Sequence, residues 1–416
     1  MLSSNMLNFK TLQAIDFQNK TVVLRSDFNV PMINGVISDS ERILAGLDTI
    51  KFLVKKNCKI VLLSHLSRIK SLEDKLNNKK SLKPVAELLQ QLLPTVKVQF
   101  SCKNTGAEVK QKVQALAFGE ILLLENTRYC DVNDKGEIVK LESKNDPELA
   151  KFWASLGEIF VNDAFGTAHR KHASNAGIAK YVAKSCIGFL MEKELKNLSY
   201  LIQSPQKPFV VVLGGAKVSD KLKVVENLLK LADNILIGGG MVNTFLKAKG
   251  KATANSLVEK ELIDVAKQIL DKDTHNKIVL AIDQVMGSEF KDQTGITLDV
   301  SDKIQEQYQS YMSLDVGSKT IALFESYLKT AKTIFWNGPL GVFEFTNFAK
   351  GTSKIGEIIA KNKTAFSVIG GGDSAAAVKQ MQLSDQFSFI STGGGASLAL
   401  IGGEELVGIS DIQKNS

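Results

Sequence analysis

Cysteine is scarce in this sequence, and the few cysteines that occur are far apart. The 416 residues include four, Cys58, Cys102, Cys130 and Cys186, and none belongs to a C-x-x-C pair. Neither a disulfide framework nor a cysteine zinc site is therefore indicated. Isolated thiols of this kind fit a reducing compartment, so we predict a cytoplasmic protein.

Long apolar runs and aromatic clusters are also missing. No run approaches the roughly 18 apolar residues that a membrane span needs, and residues 1–13 lack the basic region and apolar core of a secretory signal. Aromatic residues make up 7% of the chain, and the excess of 52 Lys and Arg over 44 Asp and Glu is dispersed. We expect small acidic molecules as partners, and neither a membrane nor a nucleic acid.

Three common nucleotide-binding signatures are absent, namely G-x-x-x-x-G-K-[ST], G-x-G-x-x-G and H-R-D. A P-loop, a dinucleotide fingerprint and a protein-kinase catalytic loop are therefore not available. Glycine, in contrast, is plentiful and unevenly placed, since 9 of the 31 glycines lie in residues 1–188 and 22 lie beyond. Because glycine lets the backbone approach a ligand closely, such an approach is predicted for the second half.

Short apolar runs alternate with amphipathic segments, and the length of the chain suits two domains. We predict an α/β fold with two doubly wound, Rossmann-like parallel sheets, in domains of residues 1–188 and 189–403. A hinge helix that starts near Gly188 would join them. Two sheets joined by one helix leave a cleft that can close and exclude water.

Five glycine-rich turns follow apolar runs in the second half, at residues 213–217, 238–241, 336–341, 370–373 and 393–396. In a parallel sheet these turns meet at the carboxyl edge, where ligands bind. The turn at 370–373 leads into a helix, whose free N–H groups and dipole favour phosphate, and Asp373 suits Mg²⁺ between carboxylate and phosphate. The alternative is a helix start that Asp373 or Ser374 caps, with the glycines serving only the turn.

Lys217 and Lys221 lie four residues apart, after the first of these turns. If a helix starts at that turn, both ammonium groups lie on one face and can neutralise phosphate oxygens. No catalytic base is needed if the acceptor is a carboxylate, which is already a nucleophile at neutral pH.

The loops after the strands of the first half carry charge instead of glycine. The polar residues there include Asp27, Asn29, Arg42, His65, Arg68, Asn126, Arg128, Asn162, Asp163, His169, Arg170 and His172. One arginine after a strand is usually a surface ion pair. Four arginines and a histidine at one sheet edge instead predict a site for a small, strongly anionic substrate, because guanidinium groups bind carboxylate and phosphate in bidentate fashion. We expect His172 to be structural and His275 to lie at the surface.

Ordered motifs give the chain a family resemblance. They are DFNVP at 27–31, FGTAHR at 165–170, GGAKVSDK at 214–221, WNGPLGVFE at 336–344, GGGDS at 370–374 and STGGGAS at 391–397. By these motifs the chain resembles the phosphoglycerate kinase family along nearly its whole length. The resemblance implies reversible phosphoryl transfer from 1,3-bisphosphoglycerate to ADP, giving 3-phosphoglycerate and ATP, with Mg²⁺. It also implies a hinge-bending monomer in which residues 404–416 pack back on the first domain.

The resemblance implies roles for individual residues as well. The phosphoglycerate would be held by Asp27, Asn29, Arg42, His65, Arg68, Arg128 and Arg170. The nucleotide would be held by Gly214, Lys217, Lys221, Gly238, Asn337, Glu344, Gly371, Gly372, Asp373 and Ser374, with Glu344 on the ribose and Asp373 on the metal. The moving phosphoryl group would meet Arg42, Lys217 and the N–H groups of Gly371, Gly372, Gly394 and Gly395.

The sequence departs from the family pattern in the first domain, with Ser26 in place of valine and with Ser67 and Ile69 in place of glycine and proline. The loop that carries Arg68 is thereby altered. Two other functions stay open on the residues alone. An acyl-phosphate kinase for another carboxylate should not need four arginines, and a two-lobed anion-binding protein would not explain Lys217, Lys221 and Asp373.

Overall fold

The structure is a computed structural model that describes residues 8–219 and 221–414. Outside these ranges lie the start of the N-terminal stretch, Asp220 of the motif at 214–221, and the last two residues of the segment 404–416. The chain divides into two compact units. One runs up to residue 196 and includes the residues from 405 onwards, and the other is 197–404.

The first unit contains eight described strands. They are β1 (Thr21–Arg25), β2 (Met32–Ile33), β3 (Val36–Ile37), β4 (Lys59–Leu63), β5 (Val98–Ser101), β6 (Ile121–Leu124), β7 (Ile159–Asn162) and β8 (Lys184–Ile187). Strands β2 and β3 form a hairpin, and the other six form a parallel sheet in the order β5-β6-β4-β1-β7-β8. The helices are α1 (Glu41–Lys55), α2 (Leu72–Leu76), α3 (Lys83–Leu92), α4 (Ala107–Ala115), α5 (Pro147–Ala154) and the first part of α6 (Phe189–Gln203).

The central strands of this sheet are apolar because both of their faces are covered. Strand β1 reads TVVLR with four buried residues, and β6 reads ILLL with all four buried. Such continuous runs of Val, Ile and Leu are typical of parallel strands with helices on both faces. Helix α5 begins where Asp146 accepts a hydrogen bond from the N–H of Leu149 at 2.8 Å, and Pro147 occupies its first turn.

The second unit contains nine described strands. They are β9 (Phe209–Leu213), β10 (Asn234–Ile237), β11 (Ile278–Leu280), β12 (Asp283–Gly287), β13 (Ile296–Asp299), β14 (Met312–Val316), β15 (Thr333–Asn337), β16 (Phe366–Gly370) and β17 (Phe389–Ile390). Six form a parallel sheet in the order β11-β10-β9-β15-β16-β17, and β13-β12-β14 form an antiparallel sheet. The helices are the end of α6, α7 (Leu222–Leu231), α8 (Val242–Ala248), α9 (Ile263–Lys272), α10 (Ser318–Leu328), α11 (Lys350–Lys361), α12 (Gly372–Gln380) and α13 (Gly395–Ile401).

The predicted α/β class with two parallel sheets is confirmed. The antiparallel sheet β12 to β14 and the hairpin β2–β3 were not predicted. Strand β13 alternates half-buried and exposed residues over only four positions, so it lacks the continuous apolar run that marks the parallel strands.

In each parallel sheet the chain adds strands in one direction and then reverses to add strands on the other side. In the second unit the chain winds outward from β9 to β11 and then returns to β15 on the other side of β9. In the first unit the corresponding reversal lies between β1 and β7. Loops diverge at such a point, and ligands of open α/β sheets bind there, outside the carboxyl ends of the strands.

Residues near the C-terminus contact the first sheet and its loops. The N–H of Gly408 donates to the carbonyl of Ala168 at 2.7 Å, and the carbonyl of Gln413 accepts from the N–H of Lys10 at 2.9 Å. The N–H of Gln413 donates to Ser185 Oγ at 3.0 Å. Within residues 8–219 and 221–414, no helix is both long and apolar enough to cross a membrane.

Candidate active site

The first sheet collects charged side chains where four of its neighbouring strands end. Asp27 follows β1, His65 and Arg68 follow β4, Arg128 follows β6, and Arg170 follows β7. These strands are parallel neighbours, so their carboxyl ends share one edge. We call the group Asp27, Asn29, Arg42, His65, Arg68, Arg128 and Arg170 the basic edge.

Arg42 is held within the basic edge by a carboxylate. Its Nη1 lies 2.9 Å from Oδ2 of Asp27, which is 5% exposed, while the Arg42 side chain is about one third exposed. Asp27 Oδ1 accepts from the N–H of Asn29 at 3.3 Å. At Gly166 a Cβ atom would lie 2.2 Å from Asp27 Oδ2, so the glycine of the FGTAHR motif makes room for this carboxylate.

The loop that carries Arg68 keeps a glycine-like backbone although it lacks the glycine of the family pattern. Ser67 has φ +57°, and its N–H donates to Asn29 Oδ1 at 2.8 Å. A left-handed backbone costs a non-glycine residue about 1 kcal/mol. Arg68 itself is exposed, and its carbonyl accepts from Lys80 Nζ at 2.8 Å. Ser67 therefore adopts a backbone conformation that glycine would adopt without this cost.

Arg128 and Arg170 lie close enough to repel each other. Burial lowers the pKa of Arg170, and the charges of Arg128 and Arg68 lower it further. Arg128 is 8% exposed, donates to Ser143 Oγ at 3.0 Å, and has no hydrogen-bond partner for Nε within the described chain. An anion among these guanidinium groups would relieve their repulsion and accept their free hydrogens.

Both buried histidines near the basic edge are uncharged at neutral pH. Burial, followed by the charges of nearby arginines, lowers the pKa of His65 well below 6.5. The same causes lower the pKa of His172 to about 3. His172 is buried and His275 exposed, as expected from the sequence.

Beneath the basic edge lie three buried residues that the sequence analysis missed, namely Arg25, Glu142 and Ser174. Arg25 Nε donates to Ser174 Oγ at 2.8 Å, and the N–H of Ser174 donates to Glu142 Oε2 at 2.9 Å. An arginine that ends the otherwise apolar strand TVVLR was the available signal for Arg25. Nothing in the local sequence distinguishes Glu142.

In the second unit, the turns after β9 and β15 interlock at the reversal of winding. The N–H of Gly214 donates to the carbonyl of Asn337 at 2.9 Å, and the N–H of Gly215 donates to that of Pro339 at 2.7 Å. A Cβ atom at Gly214 would lie 2.1 Å from the Pro339 carbonyl oxygen. Gly214 is therefore required by packing between the two turns, whatever ligand approaches them.

Helix α12 begins at Gly372 without a side-chain cap. Gly371 precedes it with φ +95°, and neither of the proposed capping side chains, Asp373 or Ser374, caps it. Ser374 is fully buried, and its Oγ accepts from the N–H of Gly338 at 2.6 Å. The first N–H groups of this helix thus have no intrahelical acceptor, as a phosphate site requires.

Open space lies beside the glycines at two helix starts of this edge. A Cβ atom at Gly372 or Gly394 would meet nothing within 4 Å. Gly394, with φ +51°, directly precedes α13, whose first residue is the exposed Gly395. Asp373 is exposed, and its carboxylate makes no hydrogen bond to the described residues.

The predicted stacking of Lys217 and Lys221 on one helical face is wrong. Helix α7 begins only at Leu222, and the described residues before it, 214–219 and 221, are not helical. Lys221 is 7% exposed, and its Nζ donates to the carbonyl of Gly214 and, at 3.4 Å, to that of Asn337. Lys217 is exposed.

The remaining predicted nucleotide residues occupy different surroundings. Asn337 is buried, and its Nδ2 donates to the carbonyl of Gly370 at 2.7 Å, which ties the ends of β15 and β16. The N–H of Gly238 donates to the carbonyl of Leu213 at 2.9 Å. Glu344 is exposed. Across the described part of the chain, no group of three or more His, Cys, Asp or Glu side chains could hold a metal ion.

Comparison with known proteins gives consistent results. A model of the phosphoglycerate kinase family matches residues 12–404. The phosphoglycerate kinase of Mycoplasma pneumoniae is 70% identical over 98% of this chain and 100% of its own length, and that of Mycoplasmoides gallisepticum is 55% identical over 98% of both. The solved phosphoglycerate kinase of Coxiella burnetii has a TM-score of 0.83 and 37% identity, covering 97% of this chain and 98% of its own.

Proposed function

The chain belongs to the phosphoglycerate kinase family, and on that premise we propose that it transfers a phosphoryl group reversibly between 1,3-bisphosphoglycerate and ADP, giving 3-phosphoglycerate and ATP. One observation carries the proposal. The basic edge of the first sheet has an excess of positive charge, and the glycine turns of the second sheet end in uncapped helix starts. The first suits a carboxylate and phosphate, and the second suits a nucleotide phosphate chain.

We assign the phosphoglycerate to the basic edge. Arg128 and Arg170 would hold its phosphate, because their repulsion is relieved by an anion. Arg42, oriented by Asp27, would lie beside the carboxylate and donate to the equatorial oxygens of the moving phosphoryl group. The carboxylate needs no general base, since it is ionised at neutral pH.

We assign the nucleotide to the glycine edge of the second sheet. Lys217 and the first N–H groups of α12 and α13 would bind phosphate oxygens, and Glu344 the ribose. Asp373 is suited to bind Mg²⁺, because its carboxylate is exposed, makes no hydrogen bond to the described residues and lies in the first turn of α12. When bound, Mg²⁺ would neutralise charge on the β- and γ-phosphates. Lys221 and Ser374 would shape this edge through their bonds to backbone groups.

We further propose that the two units close around both substrates to exclude water, with a bend at α6, and that the protein acts as a cytoplasmic monomer. The relatives at 70% and 55% identity over nearly the full chain support the shared activity. The support for separate substrate and nucleotide units is the different chemistry of the two sheet edges.

A coupled assay tests the function directly. The purified chain is supplied with ATP, Mg²⁺ and 3-phosphoglycerate, and in parallel with acetate, aspartate or glutamate as acceptor. We expect ADP release when 3-phosphoglycerate is the acceptor and none when acetate, aspartate or glutamate is the acceptor. Turnover with another carboxylate would favour an acyl-phosphate kinase of different specificity, and binding of 3-phosphoglycerate without turnover would favour an anion-binding protein.

A further inference from the structure

Under the basic edge, the last residue of β1 is an arginine whose side chain is completely enclosed. Arg25 Nε donates to Ser174 Oγ at 2.8 Å, and its Nη1 donates to the carbonyl of Ser26. Its Nη2 lies 3.2 Å from Nδ1 of His65. A guanidinium group has only donors, so Nδ1 of His65 is the acceptor in this contact.

The enclosed charge of Arg25 is compensated from the other side of Ser174. Burial lowers the pKa of Arg25, and the negative charges of Glu142 and Asp27 oppose that effect. Glu142 is fully buried and accepts from both the N–H and the hydroxyl of Ser174. A buried network in which most members are paired holds each side chain in one geometry.

This contact decides where the single ring proton of His65 resides. Neutral imidazole carries one N–H, and His65 is neutral because its pKa lies well below 6.5. With Nδ1 accepting from Arg25, the proton is on Nε2. That atom has no hydrogen-bond partner among the described residues, and His65 retains 5% exposure, so the N–H is available to a bound anion.

His172 has the opposite arrangement. Arg128 Nη2 lies 3.5 Å from its Nε2, so Nε2 is the acceptor and the proton is on Nδ1. Nδ1 is buried, has no hydrogen-bond partner among the described residues, and lies 4.0 Å from Glu142 Oε1. Two neighbouring neutral histidines therefore have opposite tautomers, set in each case by an arginine.

We propose that Arg25 is a positioning residue that fixes His65 as the Nε2–H tautomer, so that an uncharged histidine presents a hydrogen-bond donor to the anionic substrate. The identity of that anion rests on the proposed function, whereas the tautomer does not. Such a donor adds a directed contact without adding another positive charge to edge arginines that already repel.

The direct test is the ring-nitrogen NMR spectrum of the whole ¹⁵N-labelled protein at pH 7. The sequence has only four histidines, so His65→Asn and His172→Asn suffice to assign the two ring systems. We expect a protonated Nε2 in His65 and a protonated Nδ1 in His172. A protonated Nδ1 in His65 would overturn the proposal, and this measurement needs no variant at Arg25.

The role of Arg25 is tested with Arg25→Met, and Ser174→Ala serves as the matched control. In Arg25→Met we expect a mixture of His65 tautomers. KM for 3-phosphoglycerate should rise by about the inverse of the fraction that remains Nε2–H, roughly two- to five-fold, with a smaller change in kcat. Ser174→Ala removes the acceptor of Arg25 Nε but neither member of the Nη2–Nδ1 pair, so the His65 tautomer should persist.

The outcomes separate the two proposals. A folded Arg25→Met protein with an unchanged His65 tautomer would contradict only the proposed role of Arg25 and would leave the proposed function standing. Absence of turnover with 3-phosphoglycerate in the unmutated protein would contradict the proposed function alone, since the ring-nitrogen spectrum is independent of activity.

Discussion

The arginines of the basic edge differ in what holds them, and this difference predicts different roles. Arg128 is almost fully buried and is held by Ser143, with Asp131 Oδ2 at 3.7 Å. Arg42 is one third exposed and is held by Asp27 alone among the described residues. A buried guanidinium group is a fixed part of a binding site, whereas an exposed one on a single carboxylate can follow a moving group.

Arg42→Ala should therefore affect chemistry more than binding. A guanidinium group aimed at equatorial oxygens acts mostly in the transition state, so we expect kcat to fall on the order of 10³-fold, with a smaller effect on KM. Steady-state kinetics with varied 3-phosphoglycerate measures both constants.

Arg128→Ala and Arg170→Ala are the matched comparison for Arg42. An arginine that holds the distal phosphate acts equally in ground and transition states, so these variants should raise KM for 3-phosphoglycerate more than they lower kcat. If Arg42→Ala kept a near-normal kcat and only bound 3-phosphoglycerate weakly, Arg42 would belong to the same anion clamp. Lys217 and the glycine N–H groups would then carry the phosphoryl stabilisation.

Asp373 is the second residue whose role can be tested by itself. Asp373→Asn removes one negative charge opposite the cation while the exposed side chain keeps its shape, so MgATP-dependent turnover should fall severely and thermal stability should hold. The measurement is kcat/KM for ATP across a Mg²⁺ titration, with the melting temperature as control. A variant with wild-type activity at every Mg²⁺ concentration would remove Asp373 from the site.

At the scale of elements, the glycine turns serve two separable purposes. Gly214 is packed against the Pro339 carbonyl, whereas Gly372 begins α12 beside open space. The same substitution should consequently have opposite effects at the two positions.

Gly214→Ala should destabilise the second unit, because its new Cβ would lie 2.1 Å from a carbonyl oxygen. Gly372→Ala should leave stability unchanged or slightly raised, since alanine is the better helix former, and should raise KM for ATP if phosphate approaches the backbone there. Thermal melts and kinetics on both variants measure the two effects. Normal ATP kinetics in Gly372→Ala would show that no ligand needs this open space.

The start of α6 depends on a buried carboxyl group. Asp163, directly after β7, accepts from the N–H of Met191 at 3.0 Å. Burial raises the pKa of Asp163 from 3.8 to about 7, against hydrogen bonds that favour its ionised form. Because the folded protein then holds this proton more tightly than the unfolded chain, the stabilising contribution is fully present below about pH 4 and is lost as the pH rises to about 7.

Asp163→Asn should remove this pH dependence. The free energy of unfolding of the variant, relative to wild type, should rise between pH 4 and 7 by up to about 1.4 kcal/mol per pH unit. Urea denaturation at several pH values measures this difference. His172 has the opposite effect, because its lowered pKa makes the free energy of unfolding fall as the pH drops below 6.5. Both proteins contain His172, so its contribution is removed when the variant is compared with wild type. If the variant and wild type differed by the same free energy of unfolding at every pH, Asp163 would have the same pKa in the folded protein and in the unfolded chain.

At the scale of the whole molecule, the proposed closure of the two units can be measured. Small-angle scattering should give a smaller radius of gyration with 3-phosphoglycerate and nucleotide together than with either alone, because the proposed closure would depend on a ligand in each unit. The control is a mixture of one substrate with an unreactive anion such as sulfate. A scattering profile that ignores both ligands would contradict hinge bending.

Much of this molecule follows from the sequence because its signals are local. Apolar runs followed by glycine or by charge predict parallel strands, and parallel strands bring whatever follows them to one edge. That rule is sufficient to gather His65, Arg128 and Arg170 without knowledge of any contact. It also places the glycine turns together, because each follows a strand of the same sheet.

Only the tertiary structure decided which of these residues are enclosed and what they bind. Lys221 was expected on a helix beside Lys217, but it is buried against backbone carbonyls of two separate turns. Ser67 adopts a glycine-like φ that its type disfavours, and Asn29 from another loop accepts its N–H. Arg25 donates to Ser174 across 149 positions of chain. Sequence patterns report periodicity over a few residues, whereas burial and hydrogen-bond partners depend on elements that meet only when the chain is folded.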